Sequence, residues 1–198
     1  MTALILASSS AVRARLLREA GVRFGVRPPD VDEAAVKSTL HAQGVGHGDF
    51  AAALAEAKAL AVSALSPEAL VLGCDQTLLC RGRLFDKPRD VAEARENLLF
   101  LRGKTHQLVC GAVLAQNGKP LWCHTARADL TMRDFSDRFL EDYLKSEGKQ
   151  LLTSVGCYQL EGRGSQLFAA VAGDYFTILG LPLIALLAAL REKGLAQP

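Results

Sequence analysis

The 198-residue sequence predicts an α/β fold, a mixed, twisted sheet with flanking helices and one long antiparallel hairpin. Three observations carry this expectation. Short apolar runs alternate with helix-like stretches over the first hundred residues, the pattern of strands joined by helical crossovers. "ALVLGCD" (Ala69–Asp75) is nearly all apolar, as a strand buried on both faces should be. Asn117-Gly118 separates two long strand-like runs, a strong hairpin signal.

The elements follow in order. "ALILA" reads as a buried first strand and Ala11–Ala20 as a helix that Gly21 ends. After a short second strand, "PPDVDE" (Pro28–Glu33) is a stiff acidic loop. Phe50–Leu65 is an Ala-rich helix with an apolar stripe of Ala51, Leu54, Ala55, Val62 and Leu65, and Lys58 falls inside that stripe. The strand Ala69–Asp75 ends on its carboxylate, and a hairpin turns around Arg81-Gly82. Asp90 suits the N-cap of "VAEARENLLFL". Strands at Gln107–Gln116 and Leu121–Met132, a helix at Ser136–Lys145 and a strand at Leu167–Val171 come next. Pro182 fits the first turn of a last helix closed by Gly194. No repeat or flexible linker divides the chain, so residues 1–198 are expected to form a single domain.

Composition narrows the function. A net charge of +2 offers no basic field for nucleic acid, and no nucleic-acid partner is expected. The run Phe176–Leu190 is broken by Gly180 and Pro182 and is shorter than the roughly 20 residues of a membrane span. The apolar start, Ala3–Ala7, is too short for a leader. The five cysteines have no C-x-x-C spacing, so they are expected to be reduced thiols of a cytoplasmic protein. "GKT" at 103–105 has Leu98 where a phosphate loop needs glycine. His41 and His47, among glycines in an expected loop, have no partners that would make them metal ligands.

Several residues have the chemistry of a phosphate site. Ser8, Ser9 and Ser10 lie where a strand gives way to a helix, whose free N–H groups and dipole attract anions. Arg13 stands one turn on, with a fork suited to phosphate. Ser10 equally suits a plain N-cap, with Arg13 a solvated charge. Asp30, Asp32 and Glu33 are hard oxygen donors on the acidic loop, and Asp75 sits where open α/β sheets place ligands. Lys87 is held extended by Pro88.

Taken in order, "LASSSAVRARLL", "DVDE", "LAEAKA", "GCDQT", "DKP", "GCYQLEGRG" and "LGLPL" resemble the Maf family of nucleoside triphosphate pyrophosphatases from Leu4 to about Arg191. The resemblance implies a Maf/ITPase-like fold and a cytoplasmic, homodimeric enzyme dependent on a divalent metal cation, Mg or Mn. Such an enzyme cleaves a nucleoside triphosphate, those with a modified base included, to a monophosphate and pyrophosphate, as in removal of non-standard nucleotides. By position it implies Asp75 and Lys87 as catalytic groups, Glu33 and Asp75 at the metal, and Ser8, Ser10, Arg13, Lys58, Gln76 and Glu161 on the substrate. Asp75-Gln76 and Glu161-Gly162 look like the branch acting on 7-methyl-GTP. The chain departs from the family pattern at Ala11-Val12, where a proline and a bulky residue are usual, and at Ser154, where the pyrimidine-preferring branch has lysine. Those departures leave a rival reading, a nucleotide-binding regulator of cell division with vestigial hydrolysis.

Overall fold

The structure, a computed structural model, describes residues 3–197. Seven strands, β1 (Leu4–Ala7), β2 (Gly25–Val26), β3 (Leu70–Cys80), β4 (Arg83–Phe85), β5 (Thr105–Gln116), β6 (Lys119–Met132) and β7 (Phe168–Ala172), form one mixed sheet. Its order is β2-β1-β3-β5-β6-β7, with β4 on β3. The chain resolves into two compact units, residues 1–76, 109–126 and 174–198 in the first and 77–108 and 127–173 in the second. Strands β3, β5 and β6 are long enough to contribute to both.

In the first unit β1 pairs in parallel with β2 on one side and β3 on the other, and the pairing with β3 ends at Ala7↔Gly73. The chain thus leaves β1 in one direction and returns on its other flank, the switch at which α/β sheets open a crevice. Leu4, Leu6, Leu70, Leu72, Cys74, Ala112 and Leu114 face helices α1 (Ala11–Glu19) and, near the C-terminus, Leu183–Glu192. Ala7, Val71, Val113 and Ala115 face the long helix Phe50–Ala64 through Ala55, Ala59 and Val62. Helix α2 spans Glu33–Ala42, so we number Phe50–Ala64 α3. The approach of α3 to the sheet is limited only by backbone. A Cβ on Gly73 would lie 2.1 Å from Ala55 O, and one on Gly111 2.4 Å from Ala51 O. Glycine on the strands and alanine on the helix are therefore two halves of one contact.

The second unit holds α4 (Val91–Leu101) and α5 (Asp137–Glu147), joined at the surface by Arg95 Nε to Glu141 Oε1 at 2.7 Å. Between α5 and β7 the chain runs through two 3₁₀ stretches, Gly148–Thr153 and Arg163–Leu167. The segment between them is pinned from several sides. Ser154 Oγ accepts from Tyr158 N at 3.1 Å and donates to Tyr158 O at 2.9 Å. Tyr143 donates its hydroxyl to Cys157 O, and Tyr158 Oη lies 2.7 Å from His106 Nε2. Burial holds the His106 imidazole down at about 4, so this pair is neutral. Cys157 carries a φ of 58°, a left-handed backbone uncommon outside glycine. Ser154→Ala removes both Tyr158 bonds and should cost about 1–2 kcal/mol, a Tm drop of about 2–8 °C by differential scanning calorimetry. An unchanged Tm would show that the other contacts hold the segment by themselves.

Most sequence expectations hold. Ser10 and Asp90 are helix N-caps, and both two-residue hairpin turns, Arg81-Gly82 and Asn117-Gly118, have positive φ throughout as a type I′ turn requires. Five readings need correction. Asp75 does not end its strand: β3 runs on to Cys80, held by antiparallel pairing of Leu78, Leu79 and Cys80 with β4. Glu33 is not in a loop but is the first residue of α2, capped by Asp32. His41 lies in α2 and His47 in a short 3₁₀ turn, and both rings pack edge-on against Phe50. The last apolar run is two helices, α6 (Tyr175–Ile178) and α7 (Leu183–Glu192), because Gly180 turns at φ 92° and Pro182 caps the second. Leu65, placed in the apolar stripe, is 64% exposed because α3 stops before it. Among the described residues no helix is long and apolar enough to cross a membrane.

Candidate active site

The carboxyl end of β1 and the adjoining stretch of β3 gather seven of the nine site residues named from the sequence. Ser8 follows β1, Ser10 caps α1, and Arg13 lies in the first turn. Ser8 Oγ accepts from Ser10 N at 3.2 Å and from Arg13 Nη1 at 3.1 Å, while Ser10 Oγ accepts from Arg13 N. Both hydroxyls spend lone pairs on N–H groups, so what they offer a ligand is the O–H donor. Two hydroxyl donors at a helix N-terminus select for an anion.

Arg13 is not a solvated charge. Its Nε donates to Gly180 O at 2.8 Å and its Nη1 to Cys74 O at 2.9 Å. Three of its five donors are thereby fixed, which aims the guanidinium rigidly. Gly180 was visible in the sequence only as a helix breaker. Its positive φ is what turns this carbonyl to Arg13.

Successive residues of β3 point to opposite faces. Gly73 and Asp75 face α3, and Lys58 on α3 meets the carboxylate: its Nζ is 2.5 Å from Asp75 Oδ1 and 2.7 Å from Glu33 Oε1. The inward lysine expected from periodicity is there, only 7% exposed. Burial pushes the Asp75 carboxyl above the usual range, against the opposing pull of the Lys58 and Arg13 charges. Gln76, on the other face, donates both N–H groups of its amide to Thr177 O at 2.9 Å and Ile178 O at 3.0 Å. Two carbonyl partners fix the amide orientation, so only its Oε1 is left as an acceptor for a ligand. Asp174 Oδ2, accepting from Thr177 N and Oγ1, caps the short α6 that supplies those carbonyls.

Lys87 and Glu161 belong to the second unit. Lys87 is exposed between β4 and α4, and Glu161 is exposed in the turn before the second 3₁₀ stretch. Four cysteines are buried and Cys123 is exposed. Burial raises the Cys74 thiol to about 11 and the Cys157 thiol to about 12.

Glu33 and Asp75 fit a divalent cation in kind, as hard oxygens converging on one point. No His, Cys, Asp or Glu group of three or more that could hold a metal occurs among the described residues. Further oxygens would come from water and a phosphate ligand, the usual condition of Mg²⁺ at a nucleotide.

Comparison with known proteins finds relatives over nearly the whole chain. Residues 3–193 match the family described as Maf-like protein. A nucleoside triphosphate pyrophosphatase of Paramagnetospirillum magneticum is 52% identical over 98% of this chain and 100% of its own. A 7-methyl-GTP pyrophosphatase of Brucella abortus is 49% identical over 96% of both chains, and a nucleoside triphosphate pyrophosphatase of Rhodospirillum rubrum is 50% identical over 96% of this chain and 94% of its own. A solved lipoprotein from Neisseria meningitidis, at 16% identity, 78% of this chain and 100% of its own, superposes with a TM-score of only 0.29, too low for any inference. With the family match spanning nearly all of the sequence, the chain belongs to the Maf-like protein family.

Proposed function

We infer that this chain is a nucleoside triphosphate pyrophosphatase, hydrolysing its substrate between the α- and β-phosphates to a monophosphate and pyrophosphate. The observation that carries the reading is the meeting, at the end of β1, of an anion site built from Ser8, Ser10 and Arg13 with the paired carboxylates Glu33 and Asp75. Close relatives bear names of this activity.

Phosphoryl chemistry asks a protein mainly for positioning and charge neutralisation. Ser8, Ser10 and the α1 N-terminus hold phosphate oxygens, and Arg13, fixed by two carbonyls, orients them. Lys58 adds positive charge, and the family resemblance gives Lys87 a catalytic role. Glu33 and Asp75 would hold Mg²⁺ or Mn²⁺, which when bound neutralises phosphate and acidifies water. Asp75, with its raised proton affinity, accepts the proton of the attacking water. Gln76 Oε1 is an acceptor for an N–H group of a base, which suits a guanine edge, and the family resemblance gives Glu161 a substrate-binding role.

The family match runs through both units, which supports one catalytic domain of residues 1–198. Buried, unpaired thiols suit a reducing cytoplasm, and the homodimer comes with the family resemblance. The test is product analysis with Mg²⁺ and a panel of GTP, 7-methyl-GTP, UTP, CTP and dTTP, scoring pyrophosphate and orthophosphate separately. Monophosphate with pyrophosphate is the expected result. Orthophosphate would overturn the cleavage position, and nucleotide binding without turnover would favour the regulator.

A further inference from the structure

The Lys58 ammonium stands where a cation shared by Glu33 and Asp75 would stand. One nitrogen lies 2.7 Å from one carboxylate and 2.5 Å from the other. A divalent ion bound to both oxygens needs contacts of about 2.0–2.6 Å, so it and the ammonium exclude each other by volume as well as charge. Lys58 rises from the inner face of α3 and is 7% exposed. Pushed off these carboxylates with no new partner, it would be a buried charge unpaired, which is costly. A free metal ion gains little against that cost, because no larger group of potential metal ligands forms among the described residues. A triphosphate changes both sides of the exchange. Its oxygens give the ammonium another acceptor within the sweep of a flexible four-carbon stem and complete the shell of the incoming ion.

We propose that Lys58 is an internal counter-ion that makes the metal site conditional on nucleotide. In the nucleotide-free protein it holds Glu33 and Asp75 together and keeps divalent cations out; the triphosphate draws it away and the metal enters with the substrate. The proposal rests on the pyrophosphatase reading for the identity of the phosphate ligand. The exclusion of free cation rests on the Lys58 geometry alone. By linkage, nucleotide and metal must each tighten the other's binding by the same factor.

The experiment titrates Mn²⁺ alone into nucleotide-free protein, following free aqueous Mn²⁺ by electron paramagnetic resonance, for wild type and Lys58→Met. The wild type should bind Mn²⁺ weakly. Lys58→Met should bind it more tightly by roughly 5- to 150-fold, the range of ordinary site coupling, and Lys58→Met/Asp75→Asn should lose that gain. Equal affinity in wild type and Lys58→Met would overturn the proposal. So would a micromolar or tighter site at Glu33 and Asp75 in the nucleotide-free wild type, a result that needs no variant to fold. Should circular dichroism show Lys58→Met unfolded, Lys58→Gln is read in its place. No turnover enters these titrations. A protein with no pyrophosphatase activity would still show the Lys58-dependent exclusion, and an active pyrophosphatase with a tight nucleotide-free site would overturn this proposal alone.

Discussion

Asp75→Asn should lower kcat by on the order of 10³ or more while nucleotide still binds, since a positioned proton acceptor alone contributes about 10²–10⁴ and metal coordination adds to it. The fold should survive. The Lys58 ammonium keeps Glu33 as partner when Asp75 loses its charge, so no buried cation is orphaned. Burial raises the proton affinity of Asp75 in the folded state, which fixes the sign of its pH dependence. Its contribution to stability is complete below the ordinary carboxylate value of about 4 and is lost as pH rises through the raised folded value. Asparagine does not ionise and removes that loss. At neutral pH the variant's Tm should therefore fall by no more than about 4 °C, equivalent to about 1 kcal/mol. In the wild type, the rising limb of kcat/KM against pH should lie above the ordinary carboxylate range. Stopped assays with pyrophosphate detection, beside calorimetry, check both. Near-normal turnover in Asp75→Asn would remove this carboxylate from the chemistry.

The largest stability effect should come from a single methyl group. Gly73→Ala places a Cβ 2.1 Å from Ala55 O, 2.7 Å from Ala59 N and 2.8 Å from Ala59 Cβ. Two of these are helix backbone atoms, which no rotamer change relieves, so α3 has to lift from the sheet. We expect a cost of about 3 kcal/mol, the upper end of what overpacking normally exacts, and a Tm lower by about 6–12 °C. Gly111→Ala should act in the same direction through Ala51 and Ala52. Because α3 also carries Lys58, activity should fall beyond the unfolded fraction. Urea melts with an unchanged midpoint would show that the helix can shift at little cost.

The sequence was legible where local chemistry and burial agree. Asn117-Gly118, Asp90 and the apolar strands each had one physically sensible reading. The inward Lys58 could be read from helical spacing because α3 has a buried face. Helix α2 could not, because it buries no side chain and so carries no apolar stripe. The continuation of β3 beyond Asp75 was hidden because a charged residue inside a strand looks like its end, and the parallel pairing with β1 does stop at Gly73. The carbonyls of Thr177, Ile178 and Gly180 were beyond reach in principle. They act through backbone, and their importance appears only once Arg13 and Gln76 are seen to donate to them. The glycines opposite the Ala-rich helix, Gly73 and Gly111, went unread, although interior strand glycines signal close backbone approach.

The distribution of thiols gives the molecule a practical property. Cys74, Cys80, Cys110 and Cys157 are shut inside, and burial holds each as the unreactive thiol rather than the thiolate. Cys123, exposed on β6, is the one position from which a maleimide dye or spin probe can be hung without engineering. The unmodified protein thus comes with its own single attachment point for spectroscopy.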